Sequence, residues 1–261
     1  MMKYRSFGNT GLKFFPLGLG TIWFGRQWPP NNTSYKSPSF KEISEHLMLA
    51  YKTMGNHEGM VMIDTAAAYG DSEVHIGEFL RENPANAARF FIATKWGEDF
   101  DVGSGSSTVD HSAENLHQSF ERSVKRLGRV DLLYLHKANT AVLRDATIIR
   151  EMVKIKETAR VQLLGTSISD ALILRDATEK DFLTPFDVIQ MPASVFMEER
   201  GIVQSLCEAG KAIVLNSPIR KLIGSDPKFC YAELLARPEV SMILTGTRTH
   251  LKETVGYLDE K

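Results

Sequence analysis

Cysteine is nearly absent. Cys207 and Cys230, the only two in 261 residues, are too few and too isolated for a disulfide framework or a structural zinc site. Both read as buried structural thiols. An excess of one charge is missing too. The net charge of −1 gives no whole-chain attraction to nucleic acid or to an anionic membrane. No apolar run approaches the roughly 18 residues of a spanning helix. The opening MMKYRSFGNTGLKFF lacks the apolar region of a signal peptide. These absences lead us to expect a soluble, cytoplasmic protein that takes neither nucleic acid nor membrane as partner. No heptad or long apolar stripe marks an oligomer interface, so a monomer is the default expectation.

What is present suits a closed core: 43% of residues are apolar and 24% charged. The length fits one large α/β domain spanning residues 1–261, since α/β barrels commonly run about 250 residues. Segments 3–7 and 12–16 flank Gly8-Asn9-Thr10-Gly11 and predict an N-terminal hairpin. Eight apolar strand candidates follow, at 16–21, 59–65, 89–96, 130–137, 161–167, 186–192, 211–217 and 240–247. Helical periodicity covers 40–54, 72–81, 113–127, 145–157, 170–178 and 202–208. Two shorter helices are expected at 231–236 and 251–257. Ser39, Asp71, Ser112 and Asp170 are candidate N-caps. Strict alternation of strand and helix predicts parallel strands, and eight units predict a (β/α)8 TIM barrel with an N-terminal β-hairpin. A doubly wound sheet is the alternative. However, Leu17-Gly18-Leu19-Gly20-Thr21 lacks the third glycine of a dinucleotide fingerprint. Segments 26–38 and 98–110 read as long loops on the face where such barrels build their sites. Trp23, Trp28 and Trp96 are candidates to wall a pocket there.

Three strand candidates end in groups that carry chemistry. Asp64 closes the run Met60-Val61-Met62-Ile63, and Tyr69 follows five residues on. Lys95 ends Phe90-Phe91-Ile92-Ala93-Thr94, and His136 ends Leu132-Leu133-Tyr134-Leu135. A phenol has a pKa of about 10, and a nearby ammonium favours the phenolate. A carboxylate can hold that ammonium, and an imidazole can orient a carbonyl. Tyr69 with Lys95, Asp64 and His136 therefore suits proton transfer at a carbonyl or alcohol oxygen while hydride moves at carbon. Taken singly, each has a bland reading: a helix cap, a surface lysine, a satisfied buried histidine, a core aromatic. Together, at the ends of consecutive parallel strands, they are hard to explain by packing. A zinc site is not expected, since His136 is the only usual ligand at these strand ends. Later strands end in Ser167, Asn216 and Ser217, and Gln190 lies within the sixth. Thr247 and Arg248 follow the eighth strand just before a helix, a favoured phosphate site in barrels, where Lys252 adds charge.

At these residues the sequence resembles the aldo-keto reductase superfamily. KYRSFGNTGLKFFPLGLG at 3–20 resembles its hairpin and first strand. Asp64 to Glu73 is similar to its D-T-A-x-x-Y-G-x-S-E signature, and PEVSMILTGT at 238–247 resembles its eighth strand. The resemblance implies an NADPH-dependent reductase of an aldehyde, ketone or sugar-like carbonyl, reversible, with NADH as a second possible cofactor. It implies Tyr69 as general acid/base, Lys95 and Asp64 as its tuning pair, and His136 as substrate orienter. It also implies cofactor contacts from Thr21, Ser167, Gln190, Asn216, Ser217, Thr247, Arg248 and Lys252. The sequence departs from the family at Ile168, Asn216 and Thr254, in a shortened 219–228 segment and in a reduced C-terminal loop. These departures imply weaker cofactor binding and a more open pocket. A nucleotide-binding regulatory subunit is the alternative function. A Schiff-base lyase or isomerase using Lys95 is a weaker third, because a Schiff-base lysine works neutral, whereas Asp64 would keep Lys95 charged.

Overall fold

The computed structural model describes residues 4–27, 34–54, 59–219, 226–246 and 250–257. The N-terminal hairpin forms from β1 (Arg5–Ser6) and β2 (Lys13–Phe14), paired antiparallel. The barrel strands are β3 (Leu17–Gly20), β4 (Val61–Asp64), β5 (Phe90–Trp96), β8 (Leu132–Leu135), β9 (Leu163–Ser167), β10 (Val188–Pro192), β11 (Ala212–Asn216) and β12 (Met242–Thr245). All eight pair in parallel, and β12 returns to β3, so the sheet is a closed (β/α)8 barrel. The helices between strands are α1 (Phe40–Met54), α2 (Ser72–Glu82), α3 (Pro84–Ala87), α4 (Ala113–Leu127), α5 (Thr140–Leu143) and α6 (Ala146–Glu157). They continue as α7 (Ala171–Glu179), α8 (Ala193–Glu198), α9 (Arg200–Glu208), α10 (Pro227–Leu235) and α11 (Leu251–Gly256). No helix among the described residues is long and apolar enough to cross a membrane.

Side-chain parity divides the core in two, because successive strand residues point to opposite faces. Met62, Phe91, Ala93, Leu132, Tyr134, Leu163, Val188, Val214, Met242 and Leu244 fill the barrel interior. Val61, Ile63, Ile92, Leu133, Leu135, Leu164, Ile189 and Ile213 face the helix layer. Phe7 and Phe14 of the hairpin join the interior set. Phe14 lies edge-on to both Phe7 and Phe91, with centroids 4.9 and 5.0 Å away. The hairpin therefore plugs the amino-terminal end of the barrel and leaves the carboxyl end open.

The sequence-based strands and helices hold, with the short helices α3, α5 and α8 added to them and four further corrections. The 98–110 segment is not an irregular loop but a second antiparallel hairpin, β6 (Glu98–Asp101) with β7 (Ser106–Val109). Its turn is held by the Ser104 amide donating to Asp101 Oδ1 at 2.6 Å. Most of its residues are exposed and β7 carries little apolar character, so no periodicity announced it. Asp71 does not cap α2 through its side chain. Ser39 and Glu42 form a reciprocal capping box on α1, and Ser112 and Asp170 cap α4 and α7. Trp23 and Trp96 lie in the outer core rather than walling a pocket, and Trp28 falls outside the described residues. Cys230 is buried, but Cys207 is only half-buried.

One buried group makes the fold acid-sensitive. His46 on α1 packs edge-on against Trp23, 5.1 Å between centroids, and its Nε2 has no hydrogen-bond partner among the described residues. Burial pushes its pKa from 6.5 down to about 4. Between those values the unfolded chain binds a proton that the folded chain refuses. Stability is therefore lost as pH falls through this window, by on the order of 3 kcal/mol. Urea unfolding at pH 7.5 and 4.5 should show His46→Leu losing much less stability than the parent. Equal losses would remove His46 as the cause.

Candidate active site

The same parity that fills the barrel brings the polar strand ends together. Asp64, Lys95 and His136 continue the inward series Met62–Asp64, Phe91–Ala93–Lys95 and Leu132–Tyr134–His136. Ser167, Gln190 and Asn216 continue those of β9, β10 and β11. All six therefore converge on the open end. Except for Lys95, which sits behind the wall, each lines a cavity of about 360 Å³, together with Thr21, Tyr69 and Ser217. Tyr69 arrives from the 3-10 helix Ala67–Tyr69 between β4 and α2. Gly70 lets the chain turn there. Its φ is +59°, and a Cβ would lie 2.1 Å from Gly25 O.

Lys95 is 1% exposed and Asp64 2% exposed, and the two form a direct ion pair. Lys95 Nζ also donates to Thr65 O at 2.9 Å. Gln190 Nε2 donates to the second Asp64 oxygen at 2.8 Å. Ser167 Oγ and Asn216 Nδ2 donate to Gln190 Oε1 at 3.2 and 3.5 Å, so a chain of polar contacts runs along the wall to the ion pair. Burial works against the lysine's charge, but Asp64, with a further push from Tyr69, holds its pKa above the ordinary value. Lys95 Nζ lies 5.0 Å from the Tyr69 ring centre. Burial pushes the Tyr69 phenol up and Lys95 pulls it back. The net is upward, which corrects the expectation that the ammonium would win. The phenol keeps its proton. His136 stands edge-on to Tyr69, with centroids 6.2 Å apart. Burial first, then the charges of Lys95, Lys137 and Arg26, hold its pKa well below the ordinary value, so the imidazole is neutral.

The remaining candidates are placed unequally. Thr21 lines the cavity, but its hydroxyl is engaged with Asp64 O at 3.0 Å and with Ser72 Oγ at 2.9 Å. Lys252 on α11 is exposed and lines none of the described cavities. Thr247 and Arg248 lie outside the described residues, as does most of the 219–228 segment. Ile168 is fully buried in the outer core. Thr254 turns its hydroxyl to His250 O at 2.9 Å. A second cavity, of about 490 Å³, shares Ser217, Pro218 and Gly246 with the first and continues past Tyr231, His250 and Tyr257.

Sequence reasoning missed three residues. Glu98 opens the second hairpin and lines the cavity, with Oε2 3.3 Å from His136 Nδ1. Arg26 approaches Glu98 at 3.7 Å, stacks over Phe100 at 4.1 Å and donates to Ala68 O at 3.0 Å. His111 Nε2 lies 2.8 Å from the His136 carbonyl oxygen and braces the end of β8. That approach needs Gly97, whose φ is +102° and whose Cβ would fall 2.6 Å from the His111 ring. The only local signal for Glu98 was its place two residues after a strand end.

The arrangement is a protonated phenol beside a buried ammonium–carboxylate pair and a neutral imidazole, with a second cavity adjoining the first. The family model for the aldo/keto reductase family matches residues 16–223. A solved Pseudomonas aeruginosa protein assigned to the aldo-keto reductases is 25% identical, with a TM-score of 0.79 over 98% of this chain and 93% of that one. The Klebsiella pneumoniae aldo-keto reductase solved with NADPH is 17% identical, with a TM-score of 0.73 over 99% and 90% of the two chains, and shares the fold. The Bombyx mori aldo-keto reductase solved with NADP shares it at 17% identity, with a TM-score of 0.68 over 100% and 89%. The chain belongs to the aldo/keto reductase family.

Proposed function

We propose that the protein reduces an aldehyde or ketone to an alcohol with a nicotinamide nucleotide, preferably NADPH, and runs the reverse oxidation when alcohol and oxidised cofactor prevail. Family membership supports an oxidoreductase. The observation that carries the finer reading is a phenol that keeps its proton beside a buried ammonium whose charge is held by Asp64. A general acid must hold its proton until the carbonyl oxygen gains charge, and a fixed cation steadies the phenolate left behind. A binding-only subunit would have no physical use for burying that pair.

The cleft fits the cofactor. The two cavities share part of their lining, and the wall of the first offers the Ser167 hydroxyl and the Gln190 and Asn216 amides, the donors and acceptors a carboxamide needs. Ser217 stands where the two cavities meet. Thr21 contributes wall, and Thr247, Arg248 and Lys252 remain the basic end proposed to meet phosphate. When bound, the nucleotide supplies the hydride. Tyr69 gives its phenolic proton to the carbonyl oxygen in reduction and takes it back from the alcohol in oxidation. Lys95 stabilises the phenolate, and Asp64 keeps Lys95 charged. Neutral His136 holds the substrate oxygen beside the phenol.

The test is NADPH absorbance decay with a panel of aldehydes and ketones. Turnover is expected, and none from folded protein with either NADPH or NADH would overturn the reading. Arg248→Ala should weaken NADPH binding by at least tenfold more than NADH binding, read by fluorescence titration, because a guanidinium pairs with a phosphate that NADH lacks. Equal losses would remove Arg248 from that role.

A further inference from the structure

Tyr69 reaches the site on weak local means. Its 3-10 turn, Ala67–Tyr69, has no side-chain cap, and Ala66, Ala67 and Ala68 carry no polar side chain to anchor it. The turn is held from outside. Arg26, in the loop after β3, donates from Nη1 to Ala68 O at 3.0 Å, the carbonyl of the peptide that joins Ala68 to Tyr69. The residue before it presses on the same turn: a Cβ on Gly25 would fall 2.4 Å from both Tyr69 O and Asp71 N. The guanidinium also meets the second hairpin. It stacks over Phe100 at 4.1 Å and approaches Glu98 Oε1 at 3.7 Å. Glu98 Oε2 in turn stands 3.3 Å from His136 Nδ1, just past the end of β8. The Arg26 side chain is 13% exposed, so these contacts are largely shielded from water.

We propose that Arg26 is a positioning residue, a brace that ties the turn carrying Tyr69 to the hairpin whose Glu98 faces His136, and so fixes the phenol and the imidazole relative to each other. The inference rests on the reductase reading, in which the substrate oxygen is held between those two groups. One cation links the loops that follow β3, β4 and β5 and reaches, through Glu98, the residue that follows β8. The task calls for arginine. A planar guanidinium donates along its edges to a carbonyl and a carboxylate while its face lies on a ring, and an ammonium cannot do all three. Charge alone would need neither the Ala68 carbonyl nor the Phe100 ring.

Arg26→Met keeps the stem and removes the fork. With a carbonyl that the parent reduces, kcat should fall by about 30-fold, because misplacing a reacting group by roughly 1 Å can cost 100-fold. The NADPH Kd should match the parent. Arg26→Lys, which keeps the charge, should recover only part of kcat, and Phe100→Leu, which removes the stacking face alone, should lose less than Arg26→Met. If Arg26→Met does not fold, these two variants carry the test. An unchanged kcat overturns the proposal. So does a raised substrate KM at unchanged kcat, which would make Arg26 a binding group, and so does full rescue by lysine. Hydrogen exchange gives a readout that needs no turnover. In Arg26→Met the amides of 67–70 and 98–101 should exchange faster together, while those of β4 and β5 match the parent. That joint rise is required in every case, and a rise in one segment only, or in neither, overturns the brace. If the parent reduces no carbonyl with NADPH or NADH, the reductase reading falls, and the exchange result alone decides whether Arg26 ties the two segments.

Discussion

Tyr69→Phe should lower kcat by roughly 10³-fold while fold and nucleotide affinity persist, since general acid catalysis typically contributes 10²–10⁴. The substitution removes one hydroxyl and keeps the ring that lies over Lys95 and against His136. Lys95 and Asp64 retain their mutual ion pair and its supports, the Thr65 carbonyl and the Gln190 amide. The circular-dichroism spectrum and the NADPH titration should therefore match the parent. Only proton delivery is lost. Single-turnover NADPH oxidation measures it directly, and a variant within threefold of the parent would exclude Tyr69 as the acid.

The second large effect is on stability. Lys95→Met should destabilise the fold by about 3–5 kcal/mol, the usual penalty for stripping one partner from a buried pair. The reason is the carboxylate left behind. Asp64 is 2% exposed, and without the ammonium it keeps only the Gln190 amide within the barrel. For a chain of this size the loss corresponds to a fall in Tm of on the order of 10 °C. Asp64→Asn in the same chain removes the orphaned charge, so the double variant should recover a large part of the loss while remaining inactive. Thermal unfolding of the four chains in the cycle reads the coupling. Additive losses would mean that the pair is not the source.

The fold and the convergence of the polar strand ends were legible for a common reason. Each depended on local pattern: apolar runs closed by a polar residue, separated by amphipathic helices. Asp64, Lys95 and His136 could be found because each ends such a run. Glu98, Arg26 and His111 could not. Glu98 sits in a hairpin with little apolar alternation, and Arg26 and His111 reach the site through contacts spanning 72 and 25 positions in the chain. The direction of the Tyr69 shift was missed for a different reason. Charge neighbours can be guessed from sequence, but the depth of burial that outweighs them cannot.

The barrel's inward–outward alternation also works as a reading frame. Each of the six converging groups keeps its place only while the count of residues from the strand's start to its end is preserved. One residue inserted before Lys95 within β5 would turn the ammonium out among Ile92, Leu133 and Leu135 and leave Asp64 facing a neighbour of the wrong kind. The same insertion in the turn at 102–105, which is exposed, shifts no barrel side chain. Length change can therefore enter this chain between strands and not within them. Diversification in such a molecule proceeds by lengthening, trimming and replacing what surrounds the mouth, while the staves beneath it stay in phase.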